Sequence, residues 1–133
     1  MIGVGIVATK NKRPINIDVF QYRFPATAIA SVLHRISGVV IFLFLPFLLW
    51  MLDRSLLSAV HFQQLQQCFT RCGWFRLLVW ILLTAVLYHL VAGVRHMIMD
   101  MGFGESKQKS RVSAYLVMII AALLSVLAGV WLW

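Results

Sequence analysis

The chain has 133 residues, of which 62% are hydrophobic and only 12% charged. Average globular chains are roughly half apolar and about a quarter charged, so a soluble domain of this size could not hide so much apolar surface, and most of the chain is expected to be solvated by lipid. The net charge of +8 comes from twelve Lys and Arg against four acids. These cations sit at the ends of apolar runs and form no separate basic domain, which argues against a nucleic-acid partner and for contact with anionic lipid head groups.

Residues 1–25 read as an irregular, cytoplasmic N-terminal arm. Lys10, Lys12, Arg13 and Arg23 are basic, and Pro14 and Pro25 interrupt regular structure. The apolar run Met1 to Val7 is too short for a signal peptide, so the first span is expected to remain in the mature protein. Residues 26–133 read as a transmembrane anchor domain. Pro25 and Thr27 announce its first helix, since Pro is tolerated in a first turn and Thr can cap. Ser31, His34 and Arg35 then share a face at i, i+3 and i+4. From Ile36 to Leu52 there is no charge, and the span is expected over 26–52, with Pro46 inside it. The connection from Asp53 to Gly73 carries four glutamines and suits a short interfacial helix.

The second span is expected over 74–99, with Trp74 and Trp80 as belt residues at one end and Arg95, His96 and Asp100 at the other. Gly102 and Gly104 mark a tight connection. The third span is expected over 111–133, ending in Trp131 and Trp133. The fold class is therefore an all-α membrane protein with three transmembrane helices. Lys10, Lys12, Arg13, Arg23, Arg35, Lys107, Lys109, Arg111 and Arg95 fall on one side, against Arg54, Arg71 and Arg76 on the other. By the positive-inside rule the N-terminus is cytoplasmic and the C-terminus periplasmic.

His89 stands out inside the second span. A helix puts Gly93 and His96 on its face, at i+4 and i+7, and the missing side chain at Gly93 leaves room for a flat, metal-containing partner to approach. Ionisable groups inside a membrane are candidate functional sites, and His is the usual protein ligand of haem iron. A hydrogen-bonded packing histidine fits the same pattern, and spacing alone leaves both readings open. By chain counting, His89 lies about 10 Å deeper than His96. His34, Arg35 or Arg95 could pair with the propionates of a haem held at that depth. His34 and His96 are expected nearer the surface, so a second axial ligand would come from another subunit. Ser31 and Arg35 offer a hydroxyl and a guanidinium to a quinone carbonyl, although a packing serine and a phosphate-anchored arginine explain them equally. Cys68 and Cys72, four apart, form neither C-x-x-C nor a covalent haem motif.

The runs Arg13-Pro14-x-Asn16-x-Asp18, Arg23-Phe24-Pro25 and Thr27-Ala28-Ile29-Ala30-Ser31-x-Leu33-His34-Arg35-x-Ser37-Gly38 resemble the cytochrome b membrane-anchor subunits of succinate dehydrogenase, respiratory complex II. The run His89-x-x-x-Gly93-x-Arg95-His96-x-x-x-Asp100 resembles their second signature. The likeness covers nearly the whole chain and is strongest to the bacterial form. It implies a subunit of the bacterial inner membrane that works in electron transport and the tricarboxylic acid cycle. The implied partners are a flavoprotein that oxidises succinate, an iron–sulfur subunit, and a second membrane anchor with which a haem b is shared. It implies His89 as the axial haem ligand from this chain, Ser31 and Arg35 in the ubiquinone pocket, and His34 near a haem propionate. The chain would not be catalytic alone. Alternatives are the anchor of a fumarate reductase, or a cofactor-free structural anchor that would purify colourless. A small transporter ranks last, because the first and third spans have no ionisable residue in their middles.

Overall fold

The computed structural model describes residues 24–133. The N-terminal arm expected over 1–25 lies, up to Arg23, outside the described residues. The rest is helical: α1 (Ala26–Leu57), α2 (Ala59–Arg71), α3 (Gly73–Asp100) and α4 (Lys107–Leu132). Three of these, α1, α3 and α4, are long and apolar enough to cross a membrane.

Local chemistry sets the helix ends. The Pro25 ring fixes φ at −64°, and with ψ at 149° the residue is extended, so α1 starts immediately after it. Its carbonyl accepts from the amides of Ala28 and Ile29 at 2.9 and 3.2 Å. No side chain caps this end, and Thr27 lies within the first turn. Pro46 leaves α1 unbroken, although it has no N–H to donate. Asp53 and Arg54 do not stop the helix either, and α1 continues to Leu57. At 32 residues it is about 48 Å long, against a bilayer hydrocarbon core of about 30 Å.

Ser58 ends α1 and starts α2. Its backbone is extended, and its hydroxyl oxygen accepts from the His61 amide at 3.4 Å, which satisfies one otherwise orphaned donor of the first turn. The same hydroxyl lies 2.8 Å from His61 Nδ1. None of α2 is buried, and its glutamines suit a helix lying at the interface. Ser106 caps α4 in the same way, accepting from the Lys109 amide. That cap lets the helix begin at Lys107, four residues before the charge at Arg111. Gly102 and Gly104 take φ of +83° and +82°, the left-handed region that glycine enters without a steric penalty.

Small residues bring the spans together. α3 packs against both α1 and α4, and α1 also meets α4. The buried stripe on α4 is Ala114, Val117, Ala121, Ser125 and Leu132. Ala114 joins Ala26 and Ala30 of α1 in a cluster covered by Met118. Short side chains let helix backbones approach closely, and dispersion rather than water exclusion then holds them in lipid. The α1 span has the least of its surface buried within the chain. Its side chains Val39, Phe42 and Leu43 are exposed.

Candidate functional site

The polar groups of the bundle gather where the first third of α1 crosses the last half of α3. His89 of α3 and His34 of α1 lie ring on ring, with centroids 4.2 Å apart and planes 23° from parallel. His96 follows one level further on, 5.0 Å from His34 and tilted by 41°. The three imidazoles thus form a column, with the α1 ring between the two α3 rings. His34 is closer in depth to His89 than the sequence suggests. Eight residues separate Ala26 from His34 and eleven separate His89 from Asp100, about 12 and 16 Å from the respective helix ends.

His89 rests on the backbone of α1. Its Nδ1 lies 3.1 Å from Ser37 Oγ and 3.3 Å from the His34 carbonyl oxygen. Ser37 in turn donates to that carbonyl at 2.7 Å. Beside it, a Cβ on Gly38 would stand 3.1 Å from His89 Cε1, tighter than ordinary contact, so the absent side chain is what admits the ring. Gly93 has a different neighbour from the one its spacing suggests. The space above it is filled by His34 of the same chain, whose Nε2 would lie 3.7 Å from a Cβ there. That Nε2 is buried without a hydrogen-bond partner. One residue before His89, the Tyr88 hydroxyl donates to the Ala30 carbonyl at 3.1 Å.

Ser31 and Arg35 lie one turn apart on α1, Ser31 half-buried and Arg35 exposed. Arg95 is positioned differently. It is only 8% exposed and turned to the start of α4. There its Nε donates to Ser113 Oγ at 2.9 Å, and its Nη2 to the carbonyl and hydroxyl of Ser110, both at 3.1 Å. The structure therefore brings His34, His89 and His96 together and sets Arg95 on the α4 side of α3. Ser37 and Gly38 were visible in the sequence only as letters of the first signature. Nothing in a helical period shows that they form the floor under His89.

Among the described residues no cluster of three His, Cys, Asp or Glu could hold a bare metal ion. Stacked face to face, His34 and His89 do not bracket a metal between them. The donor set does suit an iron already carried by a macrocycle and needing one imidazole from this chain. His89 uses Nδ1 for both of its hydrogen bonds and makes none through Nε2 among the described residues. Cys68 and Cys72 are exposed and unpaired at the other end of the bundle.

Similarity to known proteins covers the same ground. The family described as succinate dehydrogenase/fumarate reductase transmembrane subunit matches residues 9–128. The succinate dehydrogenase cytochrome b556 subunit of Coxiella burnetii is 48% identical over 122 residues, 92% of this chain and 98% of that protein. The subunit of the same name from Rickettsia felis is 31% identical over 120 residues, covering 90% and 93% of the two chains. The succinate dehydrogenase cytochrome b560 subunit of Reclinomonas americana is 28% identical over 130 residues, covering 95% and 90%.

Proposed function

This chain belongs to the family of succinate dehydrogenase/fumarate reductase transmembrane subunits, and from that premise we propose that it anchors a succinate:quinone oxidoreductase, supplies one axial ligand to a haem b, and forms part of the ubiquinone site. It is a multi-pass membrane subunit, and its relatives are named as cytochromes b of succinate dehydrogenase, which favours succinate over fumarate chemistry. The observation that carries the haem reading is the seat of His89: a ring held through Nδ1, on a glycine floor, with Nε2 making no hydrogen bond among the described residues.

When bound, haem supplies a one-electron relay inside the low-dielectric membrane. The residues of this chain hold and orient it. His89 would offer Nε2 to the iron, and a companion anchor subunit would supply the second histidine. His34, whose buried Nε2 lacks a partner, and Arg35 would pair with the propionates. Arg95, on the α4 side of α3, has Nε and Nη2 taken by Ser113 and Ser110, so only Nη1 is left with which it could reach a propionate. An unpaired charge in the membrane is costly, so a carboxylate partner would stabilise either guanidinium.

Ser31 and Arg35 bind and orient ubiquinone. Donors aimed at a quinone carbonyl gain strength as negative charge develops on its oxygen. Arg35 is exposed on α1, as a group facing a neighbouring subunit and a lipid-borne substrate must be. The iron–sulfur subunit delivers electrons on the cytoplasmic side of the inner membrane, and the flavoprotein beyond it oxidises succinate.

The test is a reduced-minus-oxidised spectrum of the purified complex. The b-type absorbance disappears in His89→Ala, and an unchanged spectrum sinks the assignment. Replacing Ser31 or Arg35 by Ala lowers succinate–quinone activity while succinate oxidation by a soluble dye persists. Equal loss of both activities removes the quinone role.

A further inference from the structure

Ser37 has one proton and two polar neighbours. The His34 carbonyl, at 2.7 Å, can only accept. His89 Nδ1, at 3.1 Å, can donate or accept according to its tautomer. The same Nδ1 also lies 3.3 Å from the same carbonyl. Two arrangements are possible. If Nδ1 lacks a proton, the serine must donate to it. The hydroxyl oxygen then meets the carbonyl oxygen at 2.7 Å with no hydrogen between them, and the bare Nδ1 faces the carbonyl as well. Only one of three contacts is satisfied. If Nδ1 carries the proton, the serine donates to the carbonyl, and Nδ1–H donates to the serine oxygen and, at longer range, to the carbonyl. All three are satisfied.

We propose that Ser37 is a positioning residue for His89: with the His34 carbonyl it fixes the imidazole as the Nδ1–H tautomer, so that the Nε2 lone pair is available to iron before any haem arrives. A neutral imidazole has one donor and one acceptor nitrogen. With the proton held on Nδ1, Nε2 cannot be the donor. Ser37 is 6% exposed and its hydroxyl is already polarised by the carbonyl, which strengthens the bond it accepts. A polarised Nδ1–H makes the ring a better electron donor to a metal at Nε2, as partners of this kind do for metal-bound histidines generally. Gly38 completes the seat by letting Cε1 lie flat against α1.

The inference rests on the reading of His89 as the axial ligand, and the experiment separates the two. The purified complex is compared with its His89→Ala, Ser37→Cys, Ser37→Ala and Ser37→Thr variants, by haem-to-protein ratio and by the midpoint potential of the haem. Ser37→Cys keeps the side-chain shape with a somewhat larger atom and weakens the acceptor. Its haem loses ferric relative to ferrous stabilisation by about tenfold, an upward shift of about 59 mV for one electron. Ser37→Ala shifts in the same direction, and Ser37→Thr, which keeps the hydroxyl, stays near the wild type. If Ser37→Ala sheds its haem, retention in Ser37→Thr still supports the proposal, and loss in both assigns Ser37 to packing and overturns it. A wild-type potential and full haem content in Ser37→Cys overturn it as well. An unchanged spectrum in His89→Ala instead removes the parent reading, whatever Ser37 does.

Discussion

α3 carries two rings that settle onto neighbouring helices by the same device. In its N-terminal half Trp80 lies over Gly129 of α4, where a Cβ would come within 3.1 Å of its Nε1. Nine residues on, His89 lies over Gly38 of α1 at the same 3.1 Å. Each ring brings a nitrogen within hydrogen-bond reach of a backbone carbonyl of the helix it rests on. Trp80 Nε1 reaches the Ser125 oxygen at 2.9 Å, and His89 Nδ1 lies 3.3 Å from that of His34. The difference is what remains afterwards. Indole has a single polar atom, and the bond to Ser125 consumes it. Imidazole has two, and the seat uses one. Trp80 is therefore complete as a packing residue, with Trp133 edge-on to it and Arg76 over that second ring, whereas His89 keeps a second ring nitrogen with no hydrogen bond among the described residues.

Trp80→Ala against His89→Ala gives the largest contrast. Removing the indole costs about 3–5 kcal/mol, as large-to-small changes at packed sites do, and lowers the thermal midpoint of the complex without altering its haem spectrum. Removing the imidazole eliminates the haem band. Loss of haem from both variants would make the two rings equivalent and break the comparison. Arg95→Met comes next. It removes charged donors from Ser110 and Ser113 and should cost about 2–3 kcal/mol, read as a lower thermal midpoint. A lower haem potential in the same variant would mark Nη1 as a propionate partner, because a nearby cation favours the reduced state.

The paired glycines sharpen the contrast at smaller amplitude. Gly129→Ala and Gly38→Ala each force a ring to give way, at about 1–3 kcal/mol. Only Gly38→Ala is expected to change the haem absorbance or its low-spin resonance signature. Smallest is Ser106→Ala, which deletes the α4 cap for about 1 kcal/mol and leaves the haem spectrum unchanged.

The spans were legible because a run such as Ile36 to Leu52 has no charge to place in lipid, and length then dictates crossing. Helix ends were less so. Asp53 and Arg54 end the apolar run without ending the helix, since a helix emerging into water stops where a backbone-breaking residue stops it, here Ser58. His89 was legible as an anomaly, a polar group in an apolar period. Its floor was not, because periodicity sorts residues onto faces of their own helix and is silent about which neighbour a face meets. Gly93 illustrates this: its spacing from His89 suggested room for a flat ligand, and the room is taken by His34. Arg95 likewise shares the charge of the rim, yet only the α3–α4 packing shows that serines hold it.

The adjacent pair Tyr88 and His89 also fixes a measurement. They reach the carbonyls of Ala30 and His34, which are four residues apart on α1. Two such attachments one turn apart define the register of α1 against α3 as two pins define a hinge plate. Sliding α1 by a turn of about 5.4 Å leaves at most one of them engaged. Deleting a residue between Ala30 and His34 turns the two carbonyls about 100° out of alignment. The depth of His89 against α1 is thus gauged by two backbone carbonyls, with Ser37 and the bare Gly38 completing its seat.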